Sequence, residues 1–283
     1  MINCFFTSDL HGKEDRYEKL FLKIREERPA AVFLGGDLLP HGYSYKRDVD
    51  DFVREFLADS LRGIRDELKS AYPEVFLILG NDDPRVNEKL IEEIERESGV
   101  WRYVHMKYND FRGYRVFGYA MVPPTPFRLK DWEKYDVSRY VDPGCIHPTD
   151  GFRSVKPEKN LKYATIKRDL ESLTEGQDLS KSVFLFHSPP YNTSLDRASL
   201  NGQYVDHVPL DVHVGSIAIQ RFIEERQPLL SMHGHIHESS RITGQYSDKS
   251  GRTIMINGAT DSSELCLIRF DLENPATHNR ELI

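Results

Sequence analysis

Five short apolar runs in this chain each end in residues with oxygen or imidazole donors: CFFTSDLH (4–11), AVFLGGD (31–37), VFLILGND (75–82), VFLFH (183–187) and LLSMHGHIH (229–237). Runs of this length, rich in Val, Phe and Leu, read as buried strands. In open α/β sheets, ligands gather in the crevice outside the carboxyl ends of the strands. Five such ends therefore imply one convergent site. In order they deliver Asp9 and His11, Asp37, Asn81, His187, then His235 and His237. Together these seven side chains would fill two adjacent metal sites.

The spacing between the runs predicts the rest of the fold. Strand and helix alternate over the first half: strand 2–8, helix 14–27, strand 31–35, helix about 48–70, strand 75–79 and helix 84–97, with Asp83 as its N-cap and Pro84 in its first turn. Strands follow near 100–104 and 114–119. Residues 121–157 carry many prolines and no sustained period, which marks an irregular insertion. A helix is predicted over 158–174, a strand over 182–186, an irregular stretch over 188–214, a helix over 215–226 and a strand over 229–233. The tail from Arg241 to Leu272 reads as three antiparallel strands with Gly, Ser and Asp turns. The expectation is an α/β protein of two packed mixed β-sheets flanked by helices, with 1–283 as a single domain.

Hydrophobic residues at 39% and charged residues at 29% fit a globular chain, and no run approaches the length that spans a bilayer. MINCFFTSD enters a strand at once and lacks the features of a signal peptide, so a cytoplasmic location is expected, and the sequon at Asn192 is set aside. Three cysteines without a CxxC pair suit a reducing compartment; Cys4 and Cys266 are expected to pack inside strands. A net charge of −7 disfavours long nucleic acid but leaves room for a small phosphorylated substrate. Nothing in the sequence specifies an oligomeric state.

SDLHG (8–12), GGD (35–37), GND (80–82), the single His187 in FHSPP and GHIH (234–237) resemble the motifs of the calcineurin-like metallophosphoesterases, in that family's order. The tail also resembles the family's closing sheet. The resemblance implies two sheets packed face to face with the metals at the top between them. It further implies that Asp9, His11 and His237 hold one divalent ion, that Asn81, His187 and His235 hold the other, and that Asp37 bridges. Carboxylate, imidazole and amide donors together suit Mn, Fe, Zn or Ni, with Mn favoured. The expected reaction is hydrolysis of a phosphoester, a small diester ahead of a monoester, by in-line attack of a metal-bridging hydroxide. A nuclease of the same family is one alternative, and a metal-binding interaction scaffold is another.

One position departs from the family pattern. Many relatives carry a histidine directly after the Asn, suited to protonating the leaving group; here Asp82 stands in its place. Beside cations an aspartate is held toward its anion and makes a poor acid. Three outcomes follow: a desolvated, protonated Asp82 donates anyway, it orients a water or a substrate hydroxyl, or the enzyme serves substrates whose leaving group needs little help; the second and third are expected. His41, four residues after Asp37, is a candidate substrate contact. Of the three histidines in HGHIH the family pattern selects His235 and His237, leaving His233 to pack or to orient a ligand. In the insertion, Arg128, Lys130, Trp132, Arg139, Tyr140 and His147 could grip phosphate or stack on a base, against the plainer reading of a packed surface loop.

Overall fold

The buried apolar runs pair into two sheets in a computed structural model, which describes residues 1–41, 47–157 and 159–283. Strands β1 (Asn3–Thr7), β2 (Ala31–Gly35), β3 (Glu74–Ile78) and β4 (Arg102–Tyr103) run parallel and side by side. β5 (Lys107–Phe111) and β6 (Tyr114–Tyr119) form a hairpin, and β7 (Ser182–Phe186) lies parallel to β6. A small hairpin of β8 (Tyr204–Val205) and β9 (Val208–Pro209) stands apart. β10 (Leu230–His233) continues the second sheet, followed by β11 (Ser247–Ser250) and β12 (Thr253–Asn257). The closing strands β13 (Cys266–Asp271) and β14 (Asn274–Leu282) return to the first sheet, where β13 pairs antiparallel to β1.

The orders are β14-β13-β1-β2-β3-β4 and β11-β12-β10-β7-β6-β5, so each mixed sheet has six strands with a parallel centre. The crossover connections carry helices, as parallel strands require. Helix α1 (Glu14–Glu27) buries Tyr17, Leu20, Phe21 and Ile24, a stripe at helical spacing, and opens on Glu14 and Asp15, which suit the positive end of its dipole. Val49–Asp51 (α2), a π-helical stretch Phe52–Ala58 and α3 (Asp59–Leu68) follow one another and pack Phe52 and Phe56 around Tyr17. α4 (Glu88–Ser98), α5 (Ile166–Leu173), α6 (Ile217–Arg226) and the short α7 (Ser239–Thr243) complete the set. Phe184 and Phe186, two apart on β7 and so on one face, both meet Phe222 of α6. Between the sheets, β2 and β3 touch β7, and a single continuous core includes residues of both.

The structure corrects four expectations. The helix predicted over 84–97 begins at Glu88 after a single 3₁₀ turn, Arg85–Asn87, and Asp83 does not cap it. The edge strand Lys107–Phe111 has no apolar alternation, yet it pairs through the turn at Arg112 and Gly113, both at positive φ, the geometry of a tight hairpin. The helix predicted over 158–174 is limited to Ile166–Leu173, started by the Thr165 side chain accepting the Arg168 N–H. The tail holds its three strands, but they divide: β11 and β12 extend one sheet, with β12 parallel to β10, while β13 joins the other and pairs there with β14 beyond the tail.

Candidate metal centre

Every strand-end residue singled out above leaves the carboxyl end of a parallel strand: Asp9 and His11 after β1, Asp37 after β2, Asn81 and Asp82 after β3, His187 after β7, His235 and His237 after β10. The first three strands belong to one sheet and the last two to the other, so the site lies on their shared rim. To turn inward, four of these residues adopt left-handed backbone: Asp9 at φ 59, His11 at 48, Asp37 at 50 and His235 at 70. A non-glycine residue in that region costs of order 1–3 kcal/mol, and such strain persists where the surroundings over-determine it. Here the β1 and β2 loops fix one another: Asp9 N–H donates to Gly36 O at 3.0 Å, His11 N–H to Asp37 O at 2.8 Å and Gly12 N–H to Leu38 O at 2.9 Å. Gly234 serves a different need, because a Cβ there would collide with Ser8 Oγ and Asp9 Oδ2.

The donor atoms fall into two overlapping groups. Asp9, His11, Asp37 and His237 bring one donor each within 4.8 Å of one another, and so do Asp37, His187 and His235; Asp37 belongs to both. Asn81 joins the second group, its Oδ1 2.9 Å from His187 Nε2. His11 Nε2 faces His237 Nε2 at 3.2 Å, His237 Nε2 lies 3.1 Å from Asp9 Oδ1, and His187 Nε2 lies 3.3 Å from Asp37 Oδ2. Donors about 2.1 Å from one ion lie roughly 3 Å apart at right angles, so these spacings suit a shared cation. His187 is oriented for it, since its Nδ1 donates to Gly35 O at 2.8 Å and leaves Nε2 inward. A third group, His11, His41 and Asp82, adjoins them: His41 Nε2 is 3.0 Å from His11 Nδ1 and 3.7 Å from Asp82 Oδ2.

A family model for calcineurin-like phosphoesterases matches residues 2–239. The chain belongs to that family. The protein TT1561 of Thermus thermophilus is similar in fold, with a TM-score of 0.56 and 19% identity over 99% of this chain and 98% of its own. A second crystal structure matches with a TM-score of 0.57 and 19% identity over 100% of this chain and 98% of its own. An archaeal phosphodiesterase matches more distantly, with a TM-score of 0.45 and 10% identity over 99% of each chain. No curated protein matches the chain.

In this calcineurin-like phosphoesterase, burial and paired charge divide the titrating groups. Burial presses His11 down to about 4 and His235 down to about 3, so both stay neutral and fit to donate a lone pair. Burial also opposes charge on His187, but the carboxylates of Asp37 and Asp9 outweigh it and lift His187 to about 10. Asp9 is held below the usual carboxylate range, because the hydrogen bond and charge of His237 overcome its burial. Asp82 is raised to about 6 by burial and by Asp37, while its N–H donates to Asp37 Oδ1 at 2.8 Å and Asn81 Nδ2 donates to its Oδ1 at 3.1 Å. The lowering expected of Asp82 thus needs the cations themselves.

His233 packs away from the donor groups: its Nδ1 meets Ser188 O at 2.9 Å, its Nε2 meets Ser231 Oγ at 2.8 Å, and its ring stacks on Phe186. Arg128 is exposed. Two insertion residues cannot grip a substrate as they stand. Lys130 is fully buried against Glu133 Oε2 at 2.6 Å and Thr125 O at 2.8 Å, and buried Trp132 donates its Nε1–H to Asp83 O at 2.7 Å. Arg139 lies over the Tyr135 ring, His147 Nδ1 is 3.2 Å from Tyr135 Oη, and Tyr140 stays exposed.

Sequence reasoning passed over two supports. Buried Arg16 donates to Asp9 O at 2.7 Å and to Ser262 O at 2.6 Å, pinning the β1 loop; the signal was an arginine beside Tyr17 on the inner face of α1. The sequence suggests Asp83 as a helix cap, but its carboxylate accepts the N–H groups of Leu38, Leu39 and Gly80 at 3.0, 2.7 and 2.8 Å. Among the described residues, no helix is long and apolar enough to cross a membrane.

Proposed function

We propose that this protein hydrolyses a small phosphoester, a diester ahead of a monoester, at a dinuclear metal centre. Asp9, His11 and His237 would hold one divalent ion, and Asn81, His187 and His235 the other. Asp37 would bridge them. The sharing of Asp37 between the two donor groups is the observation that carries this reading. Mixed carboxylate, imidazole and amide donors suit Mn, Fe, Zn or Ni, and manganese is the ion put forward here. Two such ions, when bound, supply an acidified water near neutral pH and neutralise charge on the phosphoryl oxygens.

The chain's own groups do the remaining work. Asp37 accepts the Asp82 N–H, which aims its carboxylate across both donor groups. Exposed His41 lies 3.7 Å from Asp82 Oδ2, the residue that replaces the family's histidine in the sequence, and it would contact the leaving group. Asp82 would orient a water or substrate hydroxyl there. Both sheets supply ligands, so residues 1–283 would act as one unit.

The test is release of nitrophenol from mono- and diester substrates with Mn²⁺ added or chelator present. Turnover by the metal-loaded protein, absent with chelator and reduced at least ~10³-fold in Asp37→Ala, is the expected result, in keeping with the loss of a two-metal clamp. Unimpaired cleavage by Asp37→Ala would remove the basis of the proposal.

A further inference from the structure

Asp83 carries a fully buried carboxylate whose three partners are all backbone donors. Leu38 and Leu39 follow Asp37 directly, and Gly80 precedes Asn81, so one side chain ties together the two loops that present the shared carboxylate and the amide donor. Only a carboxylate suits this place, because both of its oxygens accept whereas an amide would turn an NH₂ toward an N–H. The Asp83 carbonyl in turn takes the Trp132 Nε1–H at 2.7 Å. Trp132 comes from the insertion, and its ring is set edge-on to His105 and beneath the Arg85 guanidinium, 5.0 Å from the ring centre. Its neighbour Asp131 accepts the N–H of Arg85 at 2.8 Å and that of Ser154 at 2.9 Å. With the Val86 N–H donating to Ser154 Oγ at 3.0 Å, the insertion is bonded to the strip that follows Asn81 at three points, Asp83, Arg85 and Val86.

We infer that Asp83 and Trp132 are positioning residues: through them the insertion sets the spacing of the Asp37 and Asn81 loops and thereby the affinity for metal. The inference rests on the metal reading proposed above. Coupling of this kind is reciprocal, so ion uptake must also tighten the insertion.

The full-length protein, stripped with chelator, is titrated with Mn²⁺ or Zn²⁺ alone while heat and tryptophan emission are followed. Trp132→Phe keeps the ring and loses the donor. It is expected to weaken ion binding about tenfold, the lower end of what hydrogen-bonded supports of ligands contribute; in the wild type, ion uptake is expected to change the emission of Trp132, with Trp101 in the variant as the control. Asp83→Asn should weaken binding further. If Trp132→Phe melts earlier but binds metal with wild-type affinity, its role is structural only and the inference falls. Should either variant fail to fold, hydrogen exchange of the wild type decides: Mn²⁺ must slow exchange at 129–135 as well as at 80–83, and protection confined to the ligand loops overturns the coupling. A wild-type protein that takes up neither ion defeats the metal reading itself, a different outcome from uptake that ignores Trp132.

Discussion

Asp82 and His187 show how single side chains divide the chemistry. With no histidine after Asn81, protonation of a departing alkoxide falls to poorly suited groups, whereas a nitrophenolate departs without help. Asp82→Asn is therefore expected to cut alkyl phosphoester turnover at least ~10-fold, less than the roughly 10²–10⁴-fold of a full general acid, and to leave aryl turnover nearly intact; equal losses on both would refute the assignment. His187 makes a prediction about protons. Both its ring nitrogens face acceptors, Gly35 O on one side and Asn81 Oδ1 with Asp37 Oδ2 on the other, so without an ion it is an imidazolium, and its affinity for the proton is lifted to about 10. A raised value means that this charge stabilises the metal-free fold fully below the ordinary histidine range, about 6.5, and that the contribution fades as pH climbs toward 10. An ion at Nε2 must displace that proton, so binding strengthens with pH through the same window, by roughly tenfold per pH unit from this one group. Calorimetry of Mn²⁺ binding near pH 7.5 in two buffers of different ionisation enthalpy should count the released proton; identical heats would contradict it.

Helices and strands were legible where one physical rule dominates. α1 occupies 14–27 and β2 31–35, as their patterns imply, because an amphipathic stripe or a wholly apolar run leaves few alternatives. The start of α4 was misread because the Asp83 carboxylate is claimed by three N–H groups from other loops, a tertiary demand that no local pattern reveals. β5 was missed because KYNDF is a polar edge, and the division of the tail between two sheets depends on partners far along the chain. The same contrast holds at the rim. Side chains that end strands announce themselves, while Trp132 acts on a backbone carbonyl and leaves no spacing to read, and Arg16 shows only as a charge on the apolar face of α1. The end of α1 offers a test of its own. Exposed Arg28 caps it at φ 48, a conformation that costs an L-residue about 1–2 kcal/mol and glycine almost nothing. Arg28→Gly should raise stability by about 0.5–1 kcal/mol, seen as a higher urea midpoint with unchanged slope; a lower midpoint would mean that the arginine side chain contributes more than its backbone costs.

For the molecule as a whole, the buried carboxylates of Asp9 and Asp37 and the histidines around them are an arrangement that ions would complete. Binding to the native state alone adds about 2.7 kcal/mol when free ion stands at a hundred times its dissociation constant. Chelation is thus expected to lower the melting temperature by several degrees, and re-addition of Mn²⁺ to restore it; a melting curve indifferent to both would count against a centre of that affinity. The pairing of β1 carries a last consequence. Asn3 lies opposite Asp271, so one flank of the first strand is closed by a segment that a ribosome makes long after it. Until then the nascent polypeptide holds Asp9 and His11 on an unfinished edge, and their turn cannot be locked by Arg16 reaching Ser262. Maturation of the rim must await translation of the tail.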